Sequence, residues 1–320
     1  MKEYALVFPG QGAQEAGMGS KLYESFSSAR DVFDEIDDSL GFALSRTIFE
    51  GPEEDLMLTA FAQPAILAVS IASLRVLQNE LLGNSFPMPA VSAGHSLGEY
   101  TALVAADSIS LRDGALLVHL RGKWMQEAVP EGRGAMYAIL GIEAEVINEI
   151  CAIVAPNAEC QAANFNSPGQ IVISGEVTYV EKAVDLAKQR GAKKAIKLNV
   201  SAPFHSRLMR PVADRLQYQF EKCKWKTPKF PVVSNAWAKP VSKVEDILKM
   251  LYEQSYSPVL WHDSVLEICK NGVQNFVELG PGNVLAGLIK RAQKGLNCIS
   301  GSTPESLETI AEYLNSTEDN

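Results

Sequence analysis

Residues 91–104 constrain the fold more than any other stretch of the chain. They contain Gly94-His95-Ser96-Leu97-Gly98, the glycine-x-serine-x-glycine pattern of a nucleophile elbow. The apolar run over 90–93 predicts a strand, and Tyr100, Leu103 and Val104 recur at helical spacing behind the serine. A serine at so sharp a strand-to-helix turn takes a strained backbone, and a glycine two residues to either side lets the flanking segments approach. The helix that follows aims its amino end at the site, where a developing negative charge is favoured. The stretch therefore predicts an α/β chain built on a mostly parallel sheet, with Ser96 as candidate nucleophile.

The flanking sequence fits that frame. Tyr4-Ala5-Leu6-Val7-Phe8 is a continuous apolar run, as expected of a strand buried on both faces of a parallel sheet. Pro9-Gly10-Gln11-Gly12-Ala13-Gln14 follows. It opens like a dinucleotide fingerprint, but Glu15 stands where the third small residue belongs, and a carboxylate there repels a pyrophosphate. The turn either presents a backbone N–H to an oxyanion or is a tight turn without chemistry. Residues 20–83 read as several helices with acidic outer faces, and Ser110 opens a long helix over 111–129, ended by Pro130.

Pro130-Glu131-Gly132-Arg133-Gly134 marks a boundary. Beyond it come a strand over 135–140, a helix over 143–154, strands over 160–164 and 170–174, a helix over 179–190 and a strand over 195–200. This βαββαβ order predicts a ferredoxin-like α+β subdomain, residues 131–200, inserted into a larger α/β-hydrolase-like catalytic domain made of 1–130 and 201–320. Ser201-Ala202-Pro203-Phe204-His205-Ser206 then leads into a helix at Arg207. A strand at Val232-Val233, helices near 244–254 and 258–271, a strand over 275–278, the turn Gly280-Pro281-Gly282 and a helix over 284–293 complete the large unit. From Ser302 the chain reads as a capped terminal helix with an acidic tail.

Composition narrows the function. At 320 residues the chain can bury roughly three quarters of its unfolded surface. With 47% hydrophobic and 21% charged residues it is an ordinary globular sequence. A net charge of −9 argues against nonspecific nucleic-acid binding. The charge is uneven: residues 1–60 hold twelve acids and four bases, whereas 190–229 hold eleven bases and two acids. The basic run is either a solvated surface or a docking face for an acidic partner. The longest apolar stretch, 65–74, is interrupted by Ser70 and Ser73 and bounded by Gln63-Pro64 and Arg75; it predicts a buried helix too short to span a membrane. Lys2-Glu3 lead straight into an apolar run with no signal-like segment. Five scattered cysteines without any Cys-x-x-Cys predict reduced, mostly buried thiols in a cytoplasmic protein, with no metal site.

A serine hydroxyl is a weak nucleophile and needs a base within hydrogen-bond reach. The chain has four histidines. His95 precedes Ser96 and should point away from it. On a wheel of about 100° per residue, His119 falls on the polar side of its helix with Arg112, Lys123, Gln126 and Glu127, and should be solvated. His262 follows Trp261 near a helix start and stays open as a base. His205 sits at a strand-to-helix junction near a proline, where a side chain is fixed at a sheet's carboxyl edge, and ranks ahead of His262. No acidic third member declares itself. Arg121 falls at the centre of the apolar side of its helix, among Leu117, Val118, Trp124, Met125 and Ala128. A guanidinium buried there needs an anion, either an internal carboxylate or a bound substrate acid.

Phe8-Pro9-Gly10-Gln11-Gly12, Gln63-Pro64-Ala65, Gly94-His95-Ser96-Leu97-Gly98-Glu99, Arg121-Gly122, Asn166-Ser167-Pro168, Pro203-Phe204-His205-Ser206 and Gly280-Pro281-Gly282 occur in this order over residues 8–291. In them the chain resembles the bacterial malonyl-CoA:acyl carrier protein transacylases of type II fatty-acid synthesis. The resemblance implies Ser96 as nucleophile and His205 as base, with an oxyanion hole made by the backbone N–H groups of Gln11 and Leu97. It implies that Arg121 binds the malonyl carboxylate, with Asn166 and Phe204 also lining the substrate site. The family's glutamine matches Gln254, whose backbone carbonyl would orient the histidine in place of an acid. Leu97 and Phe204 resemble malonyl-selective rather than methylmalonyl-selective members. The implied reaction is ping-pong transfer from malonyl-CoA to acyl carrier protein. It needs no cofactor, nucleic acid or membrane, since malonyl-CoA is itself a substrate. A serine esterase or thioesterase is the alternative, although such hydrolases place their histidine nearer the C-terminus. A non-catalytic carrier-protein-binding module comes third, having no use for a serine and a base together.

Overall fold

The computed structural model describes residues 3–130, 132–200 and 202–316. The expected boundary residues Glu131 and Ser201, the lead-in Lys2 and the acidic tail at 317–320 lie outside the described residues. The strands, in chain order, are β1 (Tyr4–Phe8), β2 (Val91–Gly94), β3 (Gly134–Leu140), β4 (Cys160–Ser167), β5 (Gln170–Glu176), β6 (Lys194–Lys197), β7 (Val232–Val233), β8 (Pro240–Val241), β9 (Asn275–Leu279) and β10 (Asn297–Gly301). Helices α1 (Ser20–Ser25), α2 (Ser27–Leu40), α3 (Leu44–Glu50), α4 (Glu53–Met57) and α5 (Thr59–Val76) fill the connection from β1 to β2. Then come α6 (Leu97–Ala105), α7 (Leu111–Glu127), α8 (Ala144–Val154), α9 (Val177–Gln189), α10 (Arg210–Phe220), α11 (Val244–Gln254), α12 (Trp261–Lys270), α13 (Val284–Ala292) and α14 (Pro304–Asn315).

The first sheet has the order β10-β9-β1-β2-β7-β8 and is parallel except for the final β7–β8 pair. All five residues of β1 are buried. Strand side chains alternate between faces, so β1 feeds two cores: Tyr4, Leu6 and Phe8 enter the one beneath α2, α5 and α7, while Ala5 and Val7 enter the one beneath α12 and α13. That explains the unbroken apolar run in the sequence. The second sheet, β4-β5-β3-β6, is antiparallel throughout, the order expected of the βαββαβ pattern. Helices α8 and α9 cover it and close a third core. Strand β4 is also stitched by backbone to the segment before α12: Val259 N–H donates to Ala163 O at 2.8 Å, and Phe165 N–H to Val259 O at 2.9 Å.

Four local expectations need correction. Gln63-Pro64 does not precede the apolar helix; α5 starts at Thr59 and carries Pro64 inside it. With its continuation to Leu81 it is long and apolar enough to cross a membrane, yet 83% of its apolar window is buried in this fold. A proline lacks the N–H that would bond the carbonyl four residues back, here Ala60. His119 supplies the missing donor. Its Nδ1–H meets Ala60 O at 2.9 Å, and its ring packs against Phe42 and Phe61, so it is half-buried and not solvated. The last strand of the second sheet stops at Lys197, short of residue 200, with one further bond to β3 from Leu198 N–H to Met136 O at 2.9 Å. Of the free cysteines, only Cys151 and Cys160 are buried; Cys223, Cys269 and Cys298 are half-buried.

Candidate active site

Ser96 sits between the end of β2 and the first turn of α6 with φ 53° and ψ −106°, a region that side chains rarely enter. The two glycines of the motif make the turn possible. A Cβ on Gly94 would overlap the Gly98 carbonyl, and one on Gly98 would overlap the carbonyl of Phe8 at the end of β1. The strained residue is held at both ends of its backbone. Its N–H donates to Asn235 Oδ1 at 2.7 Å, and its carbonyl accepts from Gln254 Nε2 at 2.7 Å.

The Ser96 hydroxyl lies 2.7 Å from His205 Nε2. His205 is itself at positive φ, 55°, and only 3% exposed. Its Nδ1 lies 2.9 Å from the backbone carbonyl of Gln254. A carbonyl only accepts, so the ring proton must be on Nδ1, which leaves the Nε2 lone pair free for the serine proton. Burial, reinforced by the nearby Arg121 charge, pushes the His205 pKa down to about 3, so the ring is neutral at pH 7. His95 turns away, as expected from its place beside Ser96, and bonds Asn166 Oδ1 at 2.8 Å. His262 is half-buried, and its Nδ1 has no partner among the described residues.

Arg121, 1% exposed, reaches the same point from α7. One guanidinium nitrogen donates to Gln63 Oε1 at 2.8 Å; the other donates to Gln254 Oε1 at 2.9 Å and Ser96 Oγ at 3.0 Å. All three acceptors are neutral. Among the described residues no carboxylate oxygen lies within 4.0 Å of the guanidinium. The internal carboxylate allowed by the sequence is thus missing from its fork. These groups open onto a cavity of about 480 Å³. Gln11, Leu97, Phe204 and Asn166 line it, and Met125, Met136, Leu198, Val284 and Leu288 add apolar wall. Gln11 comes from the turn after β1 and Leu97 from the N-terminus of α6, so both flank the nucleophile.

Sequence reading missed several residues here. Gln63 and the side chain of Gln254 hold Arg121, and Gln161 Nε2 donates to His205 O at 3.3 Å. Asn235 and Glu99 were missed too. Asn235 follows β7 at the carboxyl edge of a parallel sheet, where functional side chains gather, and Glu99 is a lone carboxylate in an otherwise apolar turn; both signals were readable. In the basic run, Arg190, Arg215 and Lys229 pair with Glu149, Glu127 and Asp107 at 3.1–3.3 Å. Arg210 stacks over Tyr252 and Tyr256 with ring distances of 5.8 and 5.0 Å.

Comparison with known proteins places this geometry. Residues 5–309 match the family model described as acyl transferase domain. The chain is 46% identical over 321 residues to the malonyl CoA-acyl carrier protein transacylase of Bacillus subtilis (strain 168), covering 100% of both. It is 41% identical over 312 residues to the protein of that name from Escherichia coli (strain K12), covering 98% of this chain and 100% of the other. Among solved structures it is similar to an acyl-carrier-protein-S-malonyltransferase from Bartonella henselae, with TM-score 0.94, 45% identity, and 98% and 100% of the two chains covered. It is equally similar to a malonyl-transacylase in complex with its type II PKS acyl-carrier protein, with TM-score 0.93, 45% identity and the same coverage.

Proposed function

The chain belongs to the acyl transferase domain family, and from that premise we infer that it moves a malonyl group from malonyl-CoA to the phosphopantetheine thiol of acyl carrier protein, for fatty-acid synthesis. One observation carries the choice of acyl group. A buried guanidinium stands beside the serine–histidine pair with only neutral acceptors around its fork. A malonyl carboxylate supplies the missing anion in the two-pronged geometry that a guanidinium fits.

The chemistry follows from the contacts. Ser96 Oγ gives its proton to His205 Nε2 and bonds the thioester carbon, and the carbonyl π pair moves onto oxygen. In this reading the N–H groups of Gln11 and Leu97 receive the oxyanion; losing one such donor costs about 10²–10³ in rate. Collapse breaks the C–S bond, and the coenzyme A sulfur takes the proton from His205. The malonyl ester on Ser96 is then attacked by the carrier thiol, whose proton passes through His205 back to Ser96 Oγ. The substrate also sharpens its own base. Arg121 is one cause of the low His205 pKa, so a carboxylate that neutralises Arg121 makes His205 a stronger acceptor. A neutral acyl group brings no such help.

Gln254 orients His205 through its carbonyl, while Phe204 and Asn166 shape the acyl end of the cavity. No cofactor enters, because the serine, the imidazole and the backbone supply every step. We also read the chain as a large α/β-hydrolase-like unit, 1–130 with 201–320, carrying a ferredoxin-like insert, 131–200, and working in the cytoplasm. The free thiols support that location. Carrier-protein docking falls to basic residues that form no ion pair within 4.0 Å among the described residues, Arg207 and Arg210, which follow His205 in the chain, foremost. The esterase or thioesterase reading is not favoured, since relatives that match along the whole chain are named transacylases.

Intact-mass spectrometry tests the reading. Malonyl-CoA alone should leave one malonyl group on Ser96, and added carrier protein should remove it. Ser96→Ala should abolish the adduct. An adduct on another residue, or one lost to water as fast as to carrier protein, rejects the transferase.

A further inference from the structure

The strained serine is held by a residue far away in sequence, and the form of that hold is specific. In a parallel ladder, the residue opposite position i donates to the carbonyl of i−1 and accepts from the N–H of i+1. Strand β2 is paired with β7 in this way only as far as Ala93 opposite Val233, where β7 ends. Two residues later the side chain of Asn235 takes over the pattern. Its Nδ2 donates to Gly94 O at 2.7 Å and its Oδ1 accepts from Ser96 N–H at 2.7 Å. These are the two bonds that a strand neighbour of His95 would make. Asn235 is in turn fixed at its own backbone. Its N–H donates to Glu99 Oε1 at 2.7 Å, and its carbonyl accepts from Leu260 N–H at 2.8 Å. Both Asn235 and Glu99 are 0% exposed.

We propose that Asn235 and Glu99 are positioning residues of the nucleophile: the Asn235 amide acts as a surrogate strand rung that locks Ser96 in its strained conformation, and Glu99, one turn along α6, locks Asn235. The proposal rests on the transferase reading for its substrate but not for its geometry. An ordinary peptide group could not serve as the rung, because the chain must leave the sheet after β7 to reach the turn at 234–238. A side-chain amide carries the same donor and acceptor without committing the backbone. Glu99 needs only a carbonyl-like oxygen for its part. Burial pushes its carboxyl up to about 8, which keeps it largely protonated at pH 7, so glutamine is its proper mimic. Leucine has the bulk without the acceptor.

The test measures two rates of Ser96 modification in the full-length protein: malonylation by malonyl-CoA in a single turnover, and sulfonylation by phenylmethanesulfonyl fluoride with loss of fluoride. A misplacement of about 1 Å at a reacting atom costs about 10²-fold, so Asn235→Ala should slow both reactions by about that factor. The concentration of malonyl-CoA giving the half-maximal rate should stay within about twofold, as for a group that acts on the chemical step and not on binding. Glu99→Leu should lose about tenfold, by the loss of one buried hydrogen bond, and Glu99→Gln should recover most of it. If Asn235→Ala does not fold, the two Glu99 variants decide the matter. A folded Asn235→Ala that reacts at the wild-type rate overturns the proposal, as does a Glu99→Gln as slow as Glu99→Leu, or an effect confined to malonyl-CoA affinity. Wild-type protein that is sulfonylated on Ser96 but not malonylated rejects the transferase reading and leaves the brace to be judged on the sulfonyl fluoride alone.

Discussion

Arg121 brings a full positive charge to 3.0 Å from a hydroxyl that must lose a proton and close enough to depress the base that takes it. Its removal should therefore act in opposite directions on two substrates. Hydrogen bonds to charged groups are worth about 1.5–3 kcal/mol, so Arg121→Ala should lower kcat/KM for malonyl-CoA at least about tenfold. Transfer from acetyl-CoA should hold or rise. Equal losses for both donors, measured side by side, make the arginine a mere structural strut. The pH profile gives a second reading of the same pair. A base competes only when deprotonated, and burial and Arg121 set the His205 pKa at about 3. The value of kcat/KM for acylation, which reports the free protein with Arg121 still unneutralised, should thus stay level as pH falls from 7 to 5 and drop only toward 3; Arg121→Ala should move that drop to higher pH. A wild-type limb near 6.5 contradicts the burial argument. Ser96, His205 and Arg121 were all legible in the sequence, since each breaks a local rule: a serine between glycines, a histidine at a sheet edge, a cation in an apolar stripe. Gln63 and Gln161 were given no role. Amides are ordinary in most settings, and their role exists only where distant segments meet.

At the scale of elements, α5 and α7 show how one irregularity is answered by another. Pro64 strips Ala60 O of its helical partner, and His119 from α7 donates to it at 2.9 Å. Truncating that donor leaves a half-buried carbonyl unmet, at a cost of about 1–3 kcal/mol. His119→Leu should lower stability to urea by this amount. Pro64→Ala in the same chain should recover part of it, because an alanine at that position brings an N–H of its own. Independent effects in that double-mutant cycle would show that the two residues do not serve the same carbonyl. Most elements were readable from periodicity, to within a few residues at their ends. Strands β8 and β10 were not: both lie at the sheet edges and lack the unbroken apolar run of β1, and β8 is only two residues long. The helical wheel also misjudged His119, since it records which side of a helix a residue is on but not what packs against that side.

At the scale of the whole molecule, the cavity takes its walls from around both sheets: Gln11, Ser96 and Leu97 from the segments that follow β1 and β2, Met136, Asn164 and Val172 from strands of the second sheet. The sequence divided these into a large unit and an insert on the strength of their different patterns, and pattern cannot reveal how tightly two units are sewn. The Ala163–Val259–Phe165 hydrogen bonds run through that junction, and Asn164, between them, faces the cavity. The seam has a thermal consequence. If the insert melted alone, it would pull out a strand that the other unit is bonded to, so neither half has a private melting point. Calorimetry should give one transition, and loss of Ser96 labelling should coincide with it. Two separated heat peaks would refute this. A ligand that fills the cavity should accordingly shift the single peak upward as its concentration rises above its dissociation constant, and so protect parts of the chain it never touches.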